Sequence, residues 1–313
     1  MANLTAVKFL SLENAPTFDK RRFWVSAGTG FGLYAGASLA MWHAWYKDFP
    51  LGGFQTFNDM QEWMGIDKAG HMMAAFNQAN YTFKGAQWTG MKRRKAMWTG
   101  VAVASGLQAT IEIMDGFSQE WGFSLGDMAF NTFGVGLFAA QEMLWQEQRI
   151  LMKVSSSPQR YSKAPIYSVD GGSQTSLHER ARNLYGSHPT ERFLKDYNAM
   201  TLWASFNLKS FSKKKSNNRL PEWLNLALGF GAGNIYGGFG NTWMTDEGAF
   251  VLGPNDYPRF HQFYLSPDID FTRIPTRHRW LKFTLGLLNW IKVPAPALEI
   301  NTLGKVNMHS IYW

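Results

Sequence analysis

The hydrophobic pattern changes period near residue 150. Before that point, long apolar stretches carry few charges; after it, apolar and polar residues alternate. Residues 23–46 contain no Asp, Glu, Lys or Arg, and a membrane-crossing helix needs roughly 20 residues. Gly28, Gly30, Gly32 and Gly36 suit close helix contact in this stretch. Further helical segments are expected at 67–87, 96–114 and 125–147, each long enough for roughly 30 Å at 1.5 Å per residue. Residues 47–66, with Pro50, Gly52 and Gly53, connect the first two. The pattern predicts a tail over 1–22 and a four-helix, membrane-associated bundle over 23–150. Its first helix reads as a transmembrane, uncleaved signal-anchor or, alternatively, as a buried soluble helix.

Residues 151–195 are polar, with Ser155-Ser156-Ser157-Pro158 and Gly171-Gly172-Ser173, and read as a linker. The period-two pattern then takes over. Leu202, Ala204, Phe206 and Leu208 alternate with more polar neighbours, as do Leu224, Leu226, Leu228 and Phe230, and later residues 263–271. Residues 280–292 read as a short amphipathic helix, and 297–313 as a hairpin turning at Leu303-Gly304. The alternation and the terminal Tyr312-Trp313 resemble outer-membrane strands, but about five strands are too few for a closed membrane barrel. The fold class is α+β: a helical bundle, then a small antiparallel β region over 196–313 lying on the helices or on a membrane.

Composition supports a membrane setting. Charged residues are only 17% of the 313, against roughly 25% in soluble domains, with 14 Trp and 30 Gly. A mean hydropathy of -0.25 argues against a chain made wholly of membrane spans. The net charge is +8, yet no nucleic-acid recognition module is present. The basic residues flank apolar segments, so the implied partner is anionic membrane lipid rather than nucleic acid; no protein partner is specified. In an up-down bundle, Lys20, Arg21, Arg22, Lys92, Arg93, Arg94, Lys95, Arg149 and Lys153 fall at one end. Asp48, Asp59, Glu62, Asp67, Asp115, Glu120 and Asp127 fall at the other, the positive-inside arrangement. Trp42 and Trp45 join the acidic end. Lys213-Lys214-Lys215 reads as a surface loop with affinity for anionic lipid. The absence of Cys excludes disulfides, thiolate metal sites and Cys nucleophiles.

Candidate chemistry gathers at the acidic end. Asp67 and His71 are four apart on one helix face, and Glu112 and Asp115 three apart on another. Ser124, Asp127 and Asn131 share a face with Gly134. Each has a structural reading: Asp67 as an N-cap, Ser124-x-x-Asp127 as a capping box, Asp115-Gly116 as a helix stop, Asn131 as a buried hydrogen-bonding residue. Glu112 resists one, because a carboxylate in a helix's last turn faces the negative end of the macrodipole and needs a cation. Lys68 and His71 are candidate counter-charges. A divalent metal ion on His71, Glu112, Asp115 and Asp127 is the other answer, since imidazole and carboxylates suit Zn or Mn. Catalytic roles for Asp67, His71, Glu112, Asp115, Asp127 or Asn131 stay open. His43 reads as interfacial, and His178 and His188 as solvated. The glycine run from Gly229 to Gly233 lacks a following helix, so a nucleotide loop is a weak reading.

Asp67-Lys68-x-x-His71, Glu112-x-x-Asp115 and Ser124-x-x-Asp127-x-x-x-Asn131-x-x-Gly134 resemble the VanZ-like pattern. They are also similar to the YfiM-type predicted periplasmic lipoprotein family, a domain of unknown function. The likeness covers roughly residues 45–150. It implies a bacterial cell-envelope protein; VanZ-like members are associated with glycopeptide tolerance and cell-surface phenotypes. A lipoprotein of that type implies a Cys to lipidate, and this chain has none. The expected role is structural or maintenance work in the envelope. The alternative is a metal-dependent hydrolase or transferase acting on a lipid or cell-wall phosphate. The expected location is a membrane of the cell envelope, inner or outer, with the outer membrane or the periplasmic face as candidates.

Overall fold

A computed structural model describes residues 11–41, 51–119, 121–212 and 219–313. Trp42, His43, Trp45, Asp48, Pro50, Glu120 and Lys213-Lys214-Lys215 lie outside the described residues. The chain divides into two compact units. Unit 1 comprises 1–59, 71–148 and 276–284; unit 2 comprises 60–70, 149–275 and 285–313.

Unit 1 is built on α1 (Lys20–Met41), α2 (Ile66–Trp88, its first turn assigned to unit 2), α3 (Arg93–Gly116) and α4 (Leu125–Leu144). The buried Arg22 guanidinium donates to the carbonyls of Glu13 and Trp88, tying the start of α1 to the end of α2. Arg93 pairs with Glu142 at 2.5 Å, joining the start of α3 to the end of α4. Successive helices therefore run antiparallel. Two glycines bring their backbones close. A Cβ on Gly100 would lie 2.5 Å from the Ala79 carbonyl oxygen, and one on Gly134 would lie 2.2 Å from that of Met72. Between the helices sit Ala75, Phe76, Ala79, Phe83, Met97, Ala104, Val135 and Phe138, all buried. Phe138 meets Phe76 and Phe83 edge-on.

The expected four-helix transmembrane bundle is corrected. The described residues form eight α-helices, and none is long and apolar enough to cross a membrane. The physical reason lies in the interiors of these helices. After its basic opening turn, α1 is diluted by Ser26, Gly28, Thr29, Gly30, Gly32, Tyr34, Gly36 and Ser38, which lower its mean hydropathy, and α2 carries Lys68, Asn77, Gln78, Asn80 and Lys84, costly in hydrocarbon.

Unit 2 contains β1 (Ile150–Ser156), β2 (Pro165–Tyr167), β3 (Gln174–Ser176), α5 (Leu177–Tyr185), α6 (Pro189–Lys195), β4 (Met200–Asn207), α7 (Leu208–Phe211), β5 (Leu224–Gly233), β6 (Thr242–Thr245), β7 (Gly248–Val251), β8 (Phe260–Ile269), β9 (Ala295–Asn301) and β10 (Val306–Tyr312). The stretch 151–195, read from its composition as a linker, thus holds two helices and most of three strands. Its Ser residues act as structure formers: Ser155 accepts from the Trp203 indole, and Ser176 caps α5. Six strands form one antiparallel sheet in the order β1-β4-β5-β8-β9-β10, and β2-β3 and β6-β7 pair separately. The helix α8 (Arg279–Leu287) and the hairpin turning at Gly304 fall close to the expected positions.

The large sheet curls. Tyr312 on the edge strand β10 stacks on Tyr264 and shares a 2.9 Å hydrogen bond with Thr201 of β4. Its inner face combines a buried aromatic cluster, Trp203 with Tyr264, Ala227 and Ala297, with a polar network. Lys153 and Asp268 pair at 2.9 Å with both side chains fully buried. Ser205 donates to Asp268, Asn225 to Ser205 and Asn207 to Asn225. The Lys292 ammonium donates to the carbonyls of Pro267 and Val293. Gly229 faces Trp203, whose ring would lie 2.7 Å from a Cβ there.

Candidate functional site

Three helices supply the unit 1 cluster. His71 stands near the start of α2, Glu112 near the end of α3, and Asp127 and Asn131 in the first two turns of α4. The start of α4 is fixed locally. Ser124 is its N-cap, with Oγ accepting from the Asp127 backbone N–H at 2.9 Å, which satisfies one of the free donors of the first turn. The same hydroxyl donates to Asp59 at 2.5 Å. The Ser124 backbone N–H donates to Glu112 Oε2 at 3.3 Å, so one residue anchors both carboxylate-bearing helices. Gly134, one turn past Asn131, permits the close approach to Met72 that brings α4 beside His71.

His71 lies between the acids. Its Nδ1 is 3.2 Å from Asn131 Oδ1 and 3.6 Å from Glu112 Oε1, and its Nε2 is 3.7 Å from Asp127 Oδ1. A neutral imidazole carrying its proton on Nδ1 donates to Asn131 and turns the Nε2 lone pair toward Asp127. The last separation is too long for a hydrogen bond. It is close to the roughly 3.4 Å between two ligands of one tetrahedral ion with bonds of about 2.0–2.1 Å. The two carboxylates thus flank the ring from opposite nitrogens, dividing the four-residue set expected to hold one metal ion.

Glu112 is 1% exposed and Asn131 3% exposed. Glu112 Oε1 and Asn131 Nδ2 are buried with no hydrogen-bond partner, a costly state for polar atoms. Burial is the main cause pushing the Glu112 carboxyl up to about 8. His71 and the Ser124 N–H pull it down; the charges of Asp127 and Asp115 push it further up. Asp115 is half-buried one turn beyond Glu112 and enters through that charge. Asp67 precedes His71 by one turn on α2 and belongs to unit 2. Within unit 2, Lys68 donates to Asp67 Oδ2 and the Tyr197 hydroxyl to its Oδ1, both at 3.2 Å.

Sequence reasoning placed Asp59 only among the acids of one end. Its hydrogen bond to Ser124 joins residues 65 apart, and no local spacing signals such a pair. His188 is exposed and His178 half-buried. The run from Gly229 to Gly233 is the end of β5, a paired strand, which removes the nucleotide-loop reading.

Residues 55–142 match the model of a family described as predicted periplasmic lipoprotein (DUF2279), a family of unknown function. The matched stretch contains Asp59, Asp67, His71, Glu112, Asp115, Ser124, Asp127 and Asn131. No curated protein and no solved structure matches the chain.

Proposed function

We propose that the protein works in the bacterial cell envelope and that His71 and Asp127 bind a divalent cation used on a phosphate-bearing lipid or cell-wall substrate. One observation carries this reading: His71 Nε2 and Asp127 Oδ1 stand at ligand-to-ligand distance, with the other ring nitrogen already held by Asn131. A hydrogen-bonded Nδ1 is the usual outer partner of a metal-binding imidazole, fixing its tautomer and orientation. Such an ion supplies Lewis acidity toward a phosphoryl oxygen. Burial favours the neutral, protonated form of Glu112 on the Nδ1 side of the ring, so it leaves the charge of the site to Asp127 and the ion. The family match supports the envelope setting, and the spacing of the cluster supports kinship with VanZ-like proteins.

The links from Ser124 to Asp59, Glu112 and Asp127 favour a second reading, in which the cluster only specifies how the helices pack. Metal analysis separates the two. Protein purified without chelator is expected to carry about one equivalent of Zn or Mn, lost in His71→Ala and Asp127→Asn while the helical circular dichroism is kept. Wild type that holds no ion, and takes none up on titration with either metal, would leave packing as the role.

A further inference from the structure

The six-stranded sheet carries a mixed polar and aromatic inner face and an apolar outer one. Asn225, Ala227 and Gly229 of β5, Tyr264, Ser266 and Asp268 of β8, and Ala297, Glu299 and Asn301 of β9 point inward and are buried. The residues between them point outward. Leu226 faces Pro267, Leu228 faces Leu265, Phe230 faces Phe263, Phe263 faces Ile300, and Met308 faces Leu298. The register makes these one continuous band over four neighbouring strands. Leu228 is 52% exposed, Phe263 51% and Met308 76%. A soluble sheet does the reverse, burying its apolar side and wetting its polar one.

We propose that this outer face of β5, β8, β9 and β10 seats against the hydrocarbon of one leaflet of a lipid bilayer. Three observations select lipid over a protein partner. First, the band from Leu226 to Ile300 and Met308 offers no hydrogen-bond donor, acceptor or charge, and His261 at its end is held by the Met64 carbonyl, whereas protein interfaces carry about one hydrogen bond per 100–200 Å². Second, an apolar outside set against an inside that buries Asn225, Ser266, Asp268, Glu299 and Asn301 is the alternation of strands whose outer solvent is lipid. On the inner face Lys153 pairs with Asp268 and Glu299 with His309. Third, the outward apolar positions run from Leu226 to Phe230 on β5, about 13 Å at the usual strand rise, close to one leaflet of a hydrocarbon core about 30 Å thick. The Tyr312 side chain reaches Thr201 across the inner face, leaving the outer face of β10 to Val306 and Met308. The face belongs to unit 2, so the fate of the metal reading does not bear on it.

The chain contains no Cys, so a single introduced thiol takes one label. Leu228→Cys, Met308→Cys and, as a loop control, Asn255→Cys are each made in the full chain and labelled with a polarity-sensitive fluorophore. Each is mixed with phosphatidylcholine–phosphatidylglycerol vesicles bearing nitroxides on their acyl chains. The labels at 228 and 308 are expected to brighten and then be quenched by the nitroxide lipid, while the label at 255 does neither. Leu228→Asp is expected to lower vesicle partitioning by about tenfold, the equivalent of roughly 1.4 kcal/mol, with unchanged circular dichroism. The two exposed label sites keep the test open if that variant misfolds. Vesicle binding with silent labels at 228 and 308 would place lipid contact elsewhere, for example on the exposed Trp280 and Phe283 of α8, and overturn the proposal. So would an absence of binding, or labels that become shielded with protein concentration in the absence of lipid, which would mark the face as an interface between copies.

Discussion

At the scale of single residues, this protein places ionisable groups where water does not reach. Lys292 is fully buried. Burial drives its ammonium from 10.5 down to about 8, partly offset by Asp268 and reinforced by Lys153. The sign of the effect on stability follows from proton counting. Between about pH 8 and 10 the unfolded chain holds the Lys292 proton and the folded chain sheds it, so folding becomes more favourable as pH rises. Denaturant unfolding is expected to show a gain of about 2–3 kcal/mol over that window, at roughly 1.4 kcal/mol per pH unit. Lys292→Met should abolish the rise. Tyr185 and Tyr264, raised above 10 mainly by burial, act in the opposite sense only at still higher pH.

At the scale of elements, backbone proximity decides where side chains meet. Alanine favours a helix over glycine by about 1 kcal/mol, but at Gly134 the added methyl meets the Met72 carbonyl oxygen at 2.2 Å. Overpacking against fixed backbone costs roughly 1–3 kcal/mol, so the clash outweighs the propensity. Gly134→Ala is expected to lower the midpoint of thermal unfolding and to move Asn131 away from His71. Gly106 on α3 has nothing within 4 Å of its would-be Cβ, and Gly106→Ala should raise the midpoint. Opposite signs at two helical glycines, read by calorimetry, would show that contact rather than propensity governs Gly134. Equal signs would refute the close approach as the reason for the glycine.

At the scale of the whole molecule, apolar surface lies outside and polar networks within. Trp24, Phe31 and Leu33 of α1 and Leu226, Leu228 and Phe263 of the sheet are exposed. Meanwhile Glu112, Lys153, Asp268, Lys292 and Glu299 are buried. Apolar patches of this extent drive association in water. Purified protein is expected to be polydisperse by light scattering in plain buffer at any ionic strength and to become monodisperse in a non-ionic detergent above its micelle concentration. Dispersal by salt alone would instead point to charge-driven association through the +8 excess.

Helix α2, α3 and α4 positions were legible in the chain because apolar periodicity and the Ser124 cap are local signals. Strands β5 and β8 and the final hairpin were equally plain, since alternation and a glycine turn are written over a few residues. Glu112, Asp127 and Asn131 lie around His71, a proximity that helix length and antiparallel order make readable from the motif spacings. Other features needed the fold. Length and low charge made α1 look like a span, but its exposure and its buried Arg22 depend on what packs beside it. The Ser-rich stretch after residue 150 read as a linker because strand β1 owes its existence to a partner about 50 residues away. The split of the two acids onto opposite nitrogens of one imidazole, and the burial of Lys153 against Asp268, are set by distances across the fold. Spacing along a chain carries no record of which side of a ring a carboxylate approaches; only packing in three dimensions supplies that.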